Sequence, residues 1–547
     1  MSKYKGFDTV ELVKPKKSYF DLSATKRTTT RAGRMTPVFI TECIPSDVFN
    51  GSSEILLRMA PLLAPIYDNI KLYVHYWFVP NRLLWDEWET FITGGRLGVG
   101  IDPTTAPVPP FVDLGLVGGA APVTKSSLAD YLGLPIFEDL PGFTNWASYT
   151  GKNIDIMPFL AYQLIWFEYY RDRNFVDDDQ AVTWGVTIPA PSGDAGLPLG
   201  IFDLKQRAWS ADYFTSALPF TQRGEEVLMP VSLGGVAQLK VDPLGSETSA
   251  VLSGISQPGS IAVGYGIDID PETGVNNGDL YVKGEDFGGT TTSINDFRTA
   301  YALQVWYERN AIGGSRYTES TQAHFGVRPQ DSRLQRPEYI GGGVIPIKIS
   351  EVVSTAYSND GTDVVPLANL AGHGITYGNT NHFNYFCVEH GFIIGIASIM
   401  SDGSYHQGVP RMFRRRSFLD YPWPTFAKLG EQTVDKAELF GSAVNLTEDA
   451  DGNLPLFGYQ SRYADWKYIP NTNHGEFHDT LLFWTLTRDF ASAPELGETF
   501  VTYDSTVQDR IFAVNGGDDN FWLYVYNKVG VKRPLPYFGT PNTLGFV

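Results

Sequence analysis

The sequence predicts a mainly β protein of short strands separated by long, ordered loops, with a few short α-helices. Three observations predict it. Glycine and proline number 55 and 35 in 547 residues, about 16% of the chain against a usual ~12%. Aromatic residues reach 14%, and aromatics beside many turn formers favour strands and loops over helical bundles. No internal repeat and no heptad run is present, which argues against solenoids, propellers and coiled coils. The 43% hydrophobic and 19% charged content supports a large core and excludes global disorder. At about 150 residues per domain the length predicts three or four domains, and one elaborated β-barrel is also permitted. No apolar run long enough for a transmembrane helix occurs, and Met1–Val10 lacks the apolar stretch of a signal peptide.

Residues 1–35 read as a basic arm, with nine Lys or Arg against Asp8, Glu11 and Asp21, giving +6. The whole chain carries −19, so the body carries −25, which argues against an ordinary DNA-binding domain with a basic face. Pro15 among Lys14, Lys16 and Lys17 predicts extended chain: either a solvated tail, or an arm that touches phosphate and releases counterions.

Strands are predicted at Pro37–Ile44 and Ile70–Val79, where Ile70, Leu72, Val74, Tyr76 and Phe78 share one face at period two. A helix is predicted from about Arg82, with Leu84, Trp85, Trp88, Phe91 and Ile92 at helical spacing and Gly94-Gly95 as its stop. Gly94–Val123 reads as a long loop. A second helix starts at Asp155, with Pro158 in its first turn; Phe159–Tyr170 is aromatic on every side, so it should be buried. Between Val231 and Ser293 the texture changes to twelve glycines, eight acids and only Lys240 and Lys283 as cations, as expected of an inserted patch of short strands. Ser293 with Asp296 opens a helix through about Arg309, with Ile294, Phe297, Tyr301 and Val305 as its apolar stripe. Phe392–Met400, Asp479–Phe490, Arg510–Val514 and Phe521–Val529 have strand composition.

Catalytic signatures are missing: no G-x-S-x-G, Walker A or H-E-x-x-H string occurs. Gly264-x-Gly266 lacks the third glycine of a dinucleotide fingerprint. Asp268, Asp270, Glu272 and Asp279 approach an EF-hand loop, but Thr273 stands where glycine is required. Asp177, Asp178 and Asp179 are weak calcium candidates in what reads as a solvated turn. His373, His382 and His390 are too widely spaced for one helix face and read as structural. Two cysteines, Cys43 and Cys387, cannot build a disulfide scaffold or a cysteine zinc site, so maturation in a reducing cytoplasm is expected. No catalytic residue, metal or cofactor is predicted.

Arg411, Arg414, Arg415 and Arg416 form the densest basic cluster, beside Phe413, Tyr421, Trp423 and Phe426. Cations beside aromatic faces suit single-stranded nucleic acid; the alternative is pairing with acids at a subunit contact. The DNA-facing candidates are therefore Lys14, Lys16, Lys17, Lys26, Arg27, Arg31 and Arg34 of the arm, with Arg414, Arg415 and Arg416.

Local strings point further. Phe20-Asp21-Leu22-Ser23 with Lys26 and Thr28-Thr29, Phe78-Val79-Pro80-Asn81-Arg82 and Trp85-Asp86-x-Trp88 stand in the first part of the chain. Tyr169-Tyr170-Arg171-Asp172-x-Asn174 and Asp212-Tyr213-Phe214-Thr215-Ser216 follow. Next come Gly313-Gly314-x-Arg316-Tyr317-x-Glu319, His324-Phe325-Gly326-Val327 and Arg333-Leu334-Gln335-Arg336-Pro337-Glu338-Tyr339. Leu429-Gly430-Glu431-Gln432, Phe457-Gly458-Tyr459-Gln460 and Asp489-Phe490-Ala491-Ser492 close the series. In these blocks the chain resembles the major capsid proteins of microviruses, in particular the gokushovirus branch, from residue 20 to about 514. Ser46 and Arg31 depart from the family pattern, and 231–293 aligns with nothing.

The resemblance implies an eight-stranded viral jelly-roll β-barrel with long inserted loops. It implies a basic, interior-facing arm at 1–35, a first barrel part at 36–230, a variable surface insertion at 231–293 forming a threefold protrusion, and a second barrel part at 294–547. It implies a T=1 icosahedral shell of sixty copies around circular single-stranded DNA, assembled in the bacterial cytoplasm. The implied partners are a small basic DNA-binding virion protein, a pilot protein, an internal scaffolding protein and a bacterial surface receptor, with no membrane insertion. A carbohydrate-active β-protein and a pilot or spike protein are the competing classes; the strings above and the absence of fibrous repeats disfavour both.

Overall fold

The computed structural model describes residues 16–93, 107–114, 123–149, 151–176, 199–222, 335–353, 370–450, 452–513 and 519–538, with short pieces at 240–242, 250–251, 279–280, 301, 304–305, 358–359 and 364–365. The chain divides into two compact units, Met1–Pro219 with Asp331–Val547, and Phe220–Gln330.

The larger unit is built on two antiparallel sheets. Its strands are β1 (Ser18–Asp21), β2 (Ala24–Thr30), β3 (Thr36–Cys43), β4 (Val48–Met59), β5 (Ile70–Pro80), β6 (Glu338–Pro346), β7 (Ile349–Val353), β8 (Leu370–Asn379), β9 (Phe383–Phe386), β10 (Gly391–Ser401) and β11 (Phe521–Arg533). In sheet one, β1 and β2 pair successive halves of β11, β11 pairs β4, and β4 pairs β9 and then β8, which carries β7 at the edge. Sheet two runs β6-β5-β10-β3. Consecutive strands cross from one sheet to the other at β2–β3, β3–β4, β4–β5, β6–β7, β9–β10 and β10–β11.

Period-two alternation explains the core between the sheets. Ile70, Leu72, Val74, Tyr76 and Phe78 of β5 face Phe49, Ile55, Leu57 and Met59 of β4 and Leu523, Val525, Val529 and Val531 of β11 in one cluster. A buried polar bridge joins the sheets inside it: the Ser53 hydroxyl bonds the Tyr76 hydroxyl and donates to Asn527 Oδ1 at 2.6 Å, while Asn527 Nδ2 donates to the Val38 carbonyl at 3.0 Å. Each member has its partner, so the bridge fixes register without leaving an orphaned group.

Sheet two is buried on its other face as well. All eleven residues of β10 are buried; Ile393, Ala397 and Ile399 enter the inter-sheet core, while Phe392, Ile394 and Ile396 enter a second core with the helix Met157–Tyr169. That helix has Pro158 in its first turn and carries buried Phe159, Leu160, Tyr162 and Ile165, as its all-round aromatic character predicts. A third cluster unites Tyr213 and Phe214 of the excursion after β5 with Tyr405, Val434, Phe457 and Phe500 of the excursion between β10 and β11. In the smaller unit, Lys240–Asp242 pairs with Ala250–Val251 and Asp279–Leu280 in a three-stranded antiparallel sheet.

Four sequence expectations change. The helix from Arg82 is instead a 3-10 turn, Asn81–Leu83, followed by a short helix, Trp88–Thr93, because Leu84 and Trp85 drop into the core between them. Asp479–Phe490 is not a strand: it is wound into turns, with Trp484 N–H donating to the Leu481 carbonyl at 2.9 Å and Trp484 stacked on Tyr67. Its aromatic residues serve side-chain packing and not a ladder. Arg510–Val514 shrinks to a single bridge between Phe512 and Leu62 after the short helix Thr506–Asp509; Val514 lies outside the described residues. In the predicted 293–309 helix, Tyr301, Gln304 and Val305 are helical but Tyr301 is exposed, and Ile294 and Phe297 lie outside the described residues.

Candidate nucleic-acid interface

Most of the predicted DNA-facing cations are held by partners in the same chain. Arg31 pairs with Asp509, and Arg34 Nη1 lies 2.6 Å from Asp519 Oδ1. Arg414 meets Asp435 at 2.8 Å and Glu438 at 3.2 Å. Arg415 meets Asp465 at 2.6 Å and lies over the Trp466 ring. Arg416 is exposed and reaches Glu448 at 3.4 Å. Lys17 donates to the Ser46 carbonyl at 2.7 Å, Lys16 is exposed, and Lys14 lies outside the described residues. The calcium candidates Asp177, Asp178 and Asp179 also lie outside them, and no group of three or more His, Cys, Asp or Glu able to hold a metal occurs among the described residues.

The hollow around Arg411–Arg416, about 1270 Å³, is lined by five arginines and by five acids, Asp420, Asp435, Glu448, Asp449 and Asp465. Its charge is balanced. Acids of the same chain pair Arg414, Arg415 and Arg416, which differs from both sequence expectations, phosphate and acids at a subunit contact.

A smaller cleft of about 480 Å³ behaves differently. Lys26, Arg27, Arg58 and Lys125 line it, with Asp130 as its one acid. Its floor is the solvent face of sheet one, and its wall is the segment that leads into the helix Leu128–Leu132. Ser127 caps that helix, accepting from Asp130 N–H, and Gly133 in the left-handed region ends it. Lys26 donates to the Tyr131 carbonyl at the back of the cleft. Burial pushes its ammonium down to about 8, with Asp130 opposing the shift.

Two ladder rows build the floor. Arg27, Tyr524, Leu56 and Tyr377 lie side by side across four strands, and Thr29, Trp522, Arg58 and Ile375 form the next row. Trp522 is 46% and Tyr524 39% exposed. Of these, the sequence reading had only Lys26 and Arg27. The missed signal is in β11 itself: Trp522 and Tyr524 fall on the parity opposite to Phe521, Leu523 and Val525, an aromatic pair on a solvent face.

Large apolar side chains are also exposed on the loops after β10: Phe413, Phe418, Trp423, Val444, Trp466, Tyr468 and Ile469, the last at 92%. A lone water-facing aromatic is unremarkable, but a concentration of them marks a surface meant to be covered. Exposed aromatic loops and a cationic cleft on a two-sheet scaffold define a structural protein that works through contacts with other macromolecules.

The comparisons give the family. The profile of the "Capsid protein (F protein)" family matches residues 9–543, and the chain belongs to that family. It is 34% identical to capsid protein VP1 of Chlamydia phage 1, over 98% of this chain and 97% of the relative. It is 30% identical to VP1 of Bdellovibrio phage phiMH2K, over 99% and 98%, and 26% identical to VP1 of Spiroplasma virus 4, over 93% and 92%. The protein is a major capsid protein of the microvirus type, a component of the virion and not an enzyme. No described helix is long and apolar enough to cross a membrane.

Proposed function

We propose that sixty copies of the chain close into a T=1 icosahedral shell around circular single-stranded DNA, with a jelly roll as the shell-forming module. The observation that carries the shell is the exposed apolar loop surface, Phe413, Phe418, Val444 and Ile469 foremost, which a neighbouring subunit would cover much as a domain core is closed. The strand order supports the jelly roll. With β1 and β2 counted as one strand and β7 to β9 as another, the order is 1-8-3-6 in one sheet and 2-7-4-5 in the other. The pairs 1-8, 2-7, 3-6 and 4-5 are those of one long hairpin ribbon wrapped on itself.

The long excursions, 81–337 after β5 and 402–520 after β10, are the segments free to reach neighbours. Within the first, residues 231–293 are the proposed host-attachment protrusion, and exchanging them between relatives should change host range. The arm, residues 1–35, is proposed to face the interior, where a small basic virion protein supplies the cations that a body of −25 lacks. Electron microscopy of the purified full-length chain tests the central reading: closed, uniform shells support it, and monomers under every assembly condition overturn it.

A further inference from the structure

We infer that the solvent face of sheet one, at the Lys26–Arg27–Arg58–Lys125 cleft, is a binding site for unpaired nucleotides, with Trp522 and Tyr524 stacking bases and the cations holding phosphates. The inference rests on the proposed enclosure of single-stranded DNA and assigns it a place on the chain.

Charge is the first reason. In a chain of net −19, a cleft with four cations and one acid is a local reversal of sign, and a field of that kind gathers anions. The larger hollow around Arg411 has more arginines but equal numbers of acids, so it offers phosphate no net attraction.

Aromatic geometry is the second. Trp522 and Tyr524 stand two residues apart on β11, ~6.8 Å along the strand, so two splayed bases each meet a separate ring. Arg58 flanks Trp522 in the ladder, and Arg27 flanks Tyr524 with its guanidinium 5.7 Å from the ring centre. Tyr377, exposed on β8, extends the second row. Aromatic rings interleaved with cations on an open sheet are what sequence-tolerant single-strand binding requires, because every base has a π-face and every nucleotide a charge. The volume, about 480 Å³, is in the range of small-ligand sites. Position is the third reason. The floor strand β2 belongs to the basic arm, so an inward arm carries this face toward the cavity with it.

The test uses the unassembled full-length chain and an eight-nucleotide oligodeoxythymidylate, with an abasic oligomer of equal charge beside it. The thymidylate should bind about tenfold more tightly than the abasic strand. Trp522→Ala should cut that difference several-fold, Trp522→Ala with Tyr524→Ala should abolish it, and Trp522→Phe should keep it. Arg58→Ala should lower the slope of log K against log salt by about 0.7, the single-strand value for one phosphate. Equal binding of the two oligomers, or an unchanged preference in Trp522→Ala, overturns the site. Shell formation by the same preparations is scored separately. Shells without a base preference sink this inference alone, whereas failure of the wild-type chain to form shells sinks the capsid-assembly reading.

Discussion

Arg34 Nη1 lies 2.6 Å from Asp519 Oδ1, so a cation of the basic arm is neutralised by a residue 485 positions away, beside the last strand of sheet one. The other oxygen of Asp519 accepts from the Thr29 hydroxyl at 2.6 Å and from the Ser126 and Tyr131 hydroxyls at 3.1 Å. Burial alone would raise this carboxyl; the Thr29 hydroxyl, the Arg34 guanidinium and the other two donors outweigh it and hold the group below the usual carboxylate range. Residues 29–34 are thereby part of the folded body, as β1 and the rest of β2 are through their ladders to β11.

Asp519→Asn strands the Arg34 charge in a site where its side chain is 17% exposed. The expected loss is about 3 kcal/mol, read from urea denaturation of the unassembled subunit. Combining it with Arg34→Met should cost less than the sum of the two single changes, because the sites are coupled. Full additivity would show that the pair does not act as one unit.

His75 gives the fold an acid limit. Its Nδ1 lies 2.7 Å from the Tyr170 hydroxyl, and burial, then the nearby Arg207 cation, pushes its imidazole down to about 4. An unfolded histidine titrates near 6.5. The unfolded chain therefore takes up the proton first as pH falls, and stability that is complete above about 6.5 drains away down to about 4. The full effect is about 3 kcal/mol. His75→Gln should flatten that limb of a stability–pH curve; an unchanged slope between those pH values would refute the assignment.

Lys26 acts with the same sign in the alkaline range. Its pKa of about 8 lies below the ordinary lysine value of 10.5, so from about pH 8 to 10.5 the unfolded chain holds the extra proton and stability rises with pH. At neutral pH the buried ammonium is a cost. Lys26→Met should stabilise the subunit at pH 7 by about 2 kcal/mol, remove the alkaline rise, and weaken oligonucleotide binding. Calorimetry at pH 7 and pH 10 checks the first two.

Gly33 has φ +74°, and a Cβ there would stand 2.4 Å from Cδ1 of Tyr503. The ring is fully buried and packed at a tilt against Trp209, so it cannot swing aside. Gly33→Ala should cost at least about 2 kcal/mol from backbone conformation and overlap together, seen as a lower unfolding midpoint.

The arginine cluster should split by environment. Arg416→Ala removes an exposed pair and should change stability by less than about 0.5 kcal/mol. Arg414→Ala leaves Asp435 and Glu438, both buried, with only Arg411 at 4.0 Å from each and should cost about 2 kcal/mol. Neither should alter the preference for bases over abasic strand.

Where a strand alternates, the chain declares it. The odd-even faces of Ile70–Val79 and Phe521–Val529 are legible because one side of each meets the inter-sheet core. Composition misleads at Asp479–Phe490, where Trp484 packs against Tyr67 and Phe483 against Trp484, and neither serves strand pairing. A single sequence cannot say which acid stands opposite which cation: Arg34 with Asp519 and Arg415 with Asp465 are separations of 485 and 50 residues. The same limit hid Arg58 and Lys125, isolated cations that join Lys26 and Arg27 only through the fold.

Strand β11 pairs with β1, β2 and β4 at once, yet it occupies residues 521–533. During synthesis these three strands have no common partner until that stretch emerges from the ribosome, and β4 waits with an open backbone edge. Sheet one therefore closes late, after the costly long-range loop has been spanned. A chain that stalls before residue 521 should keep only the β4, β7, β8 and β9 part of this sheet, with β1 and β2 unattached, and be left to chaperones or proteases.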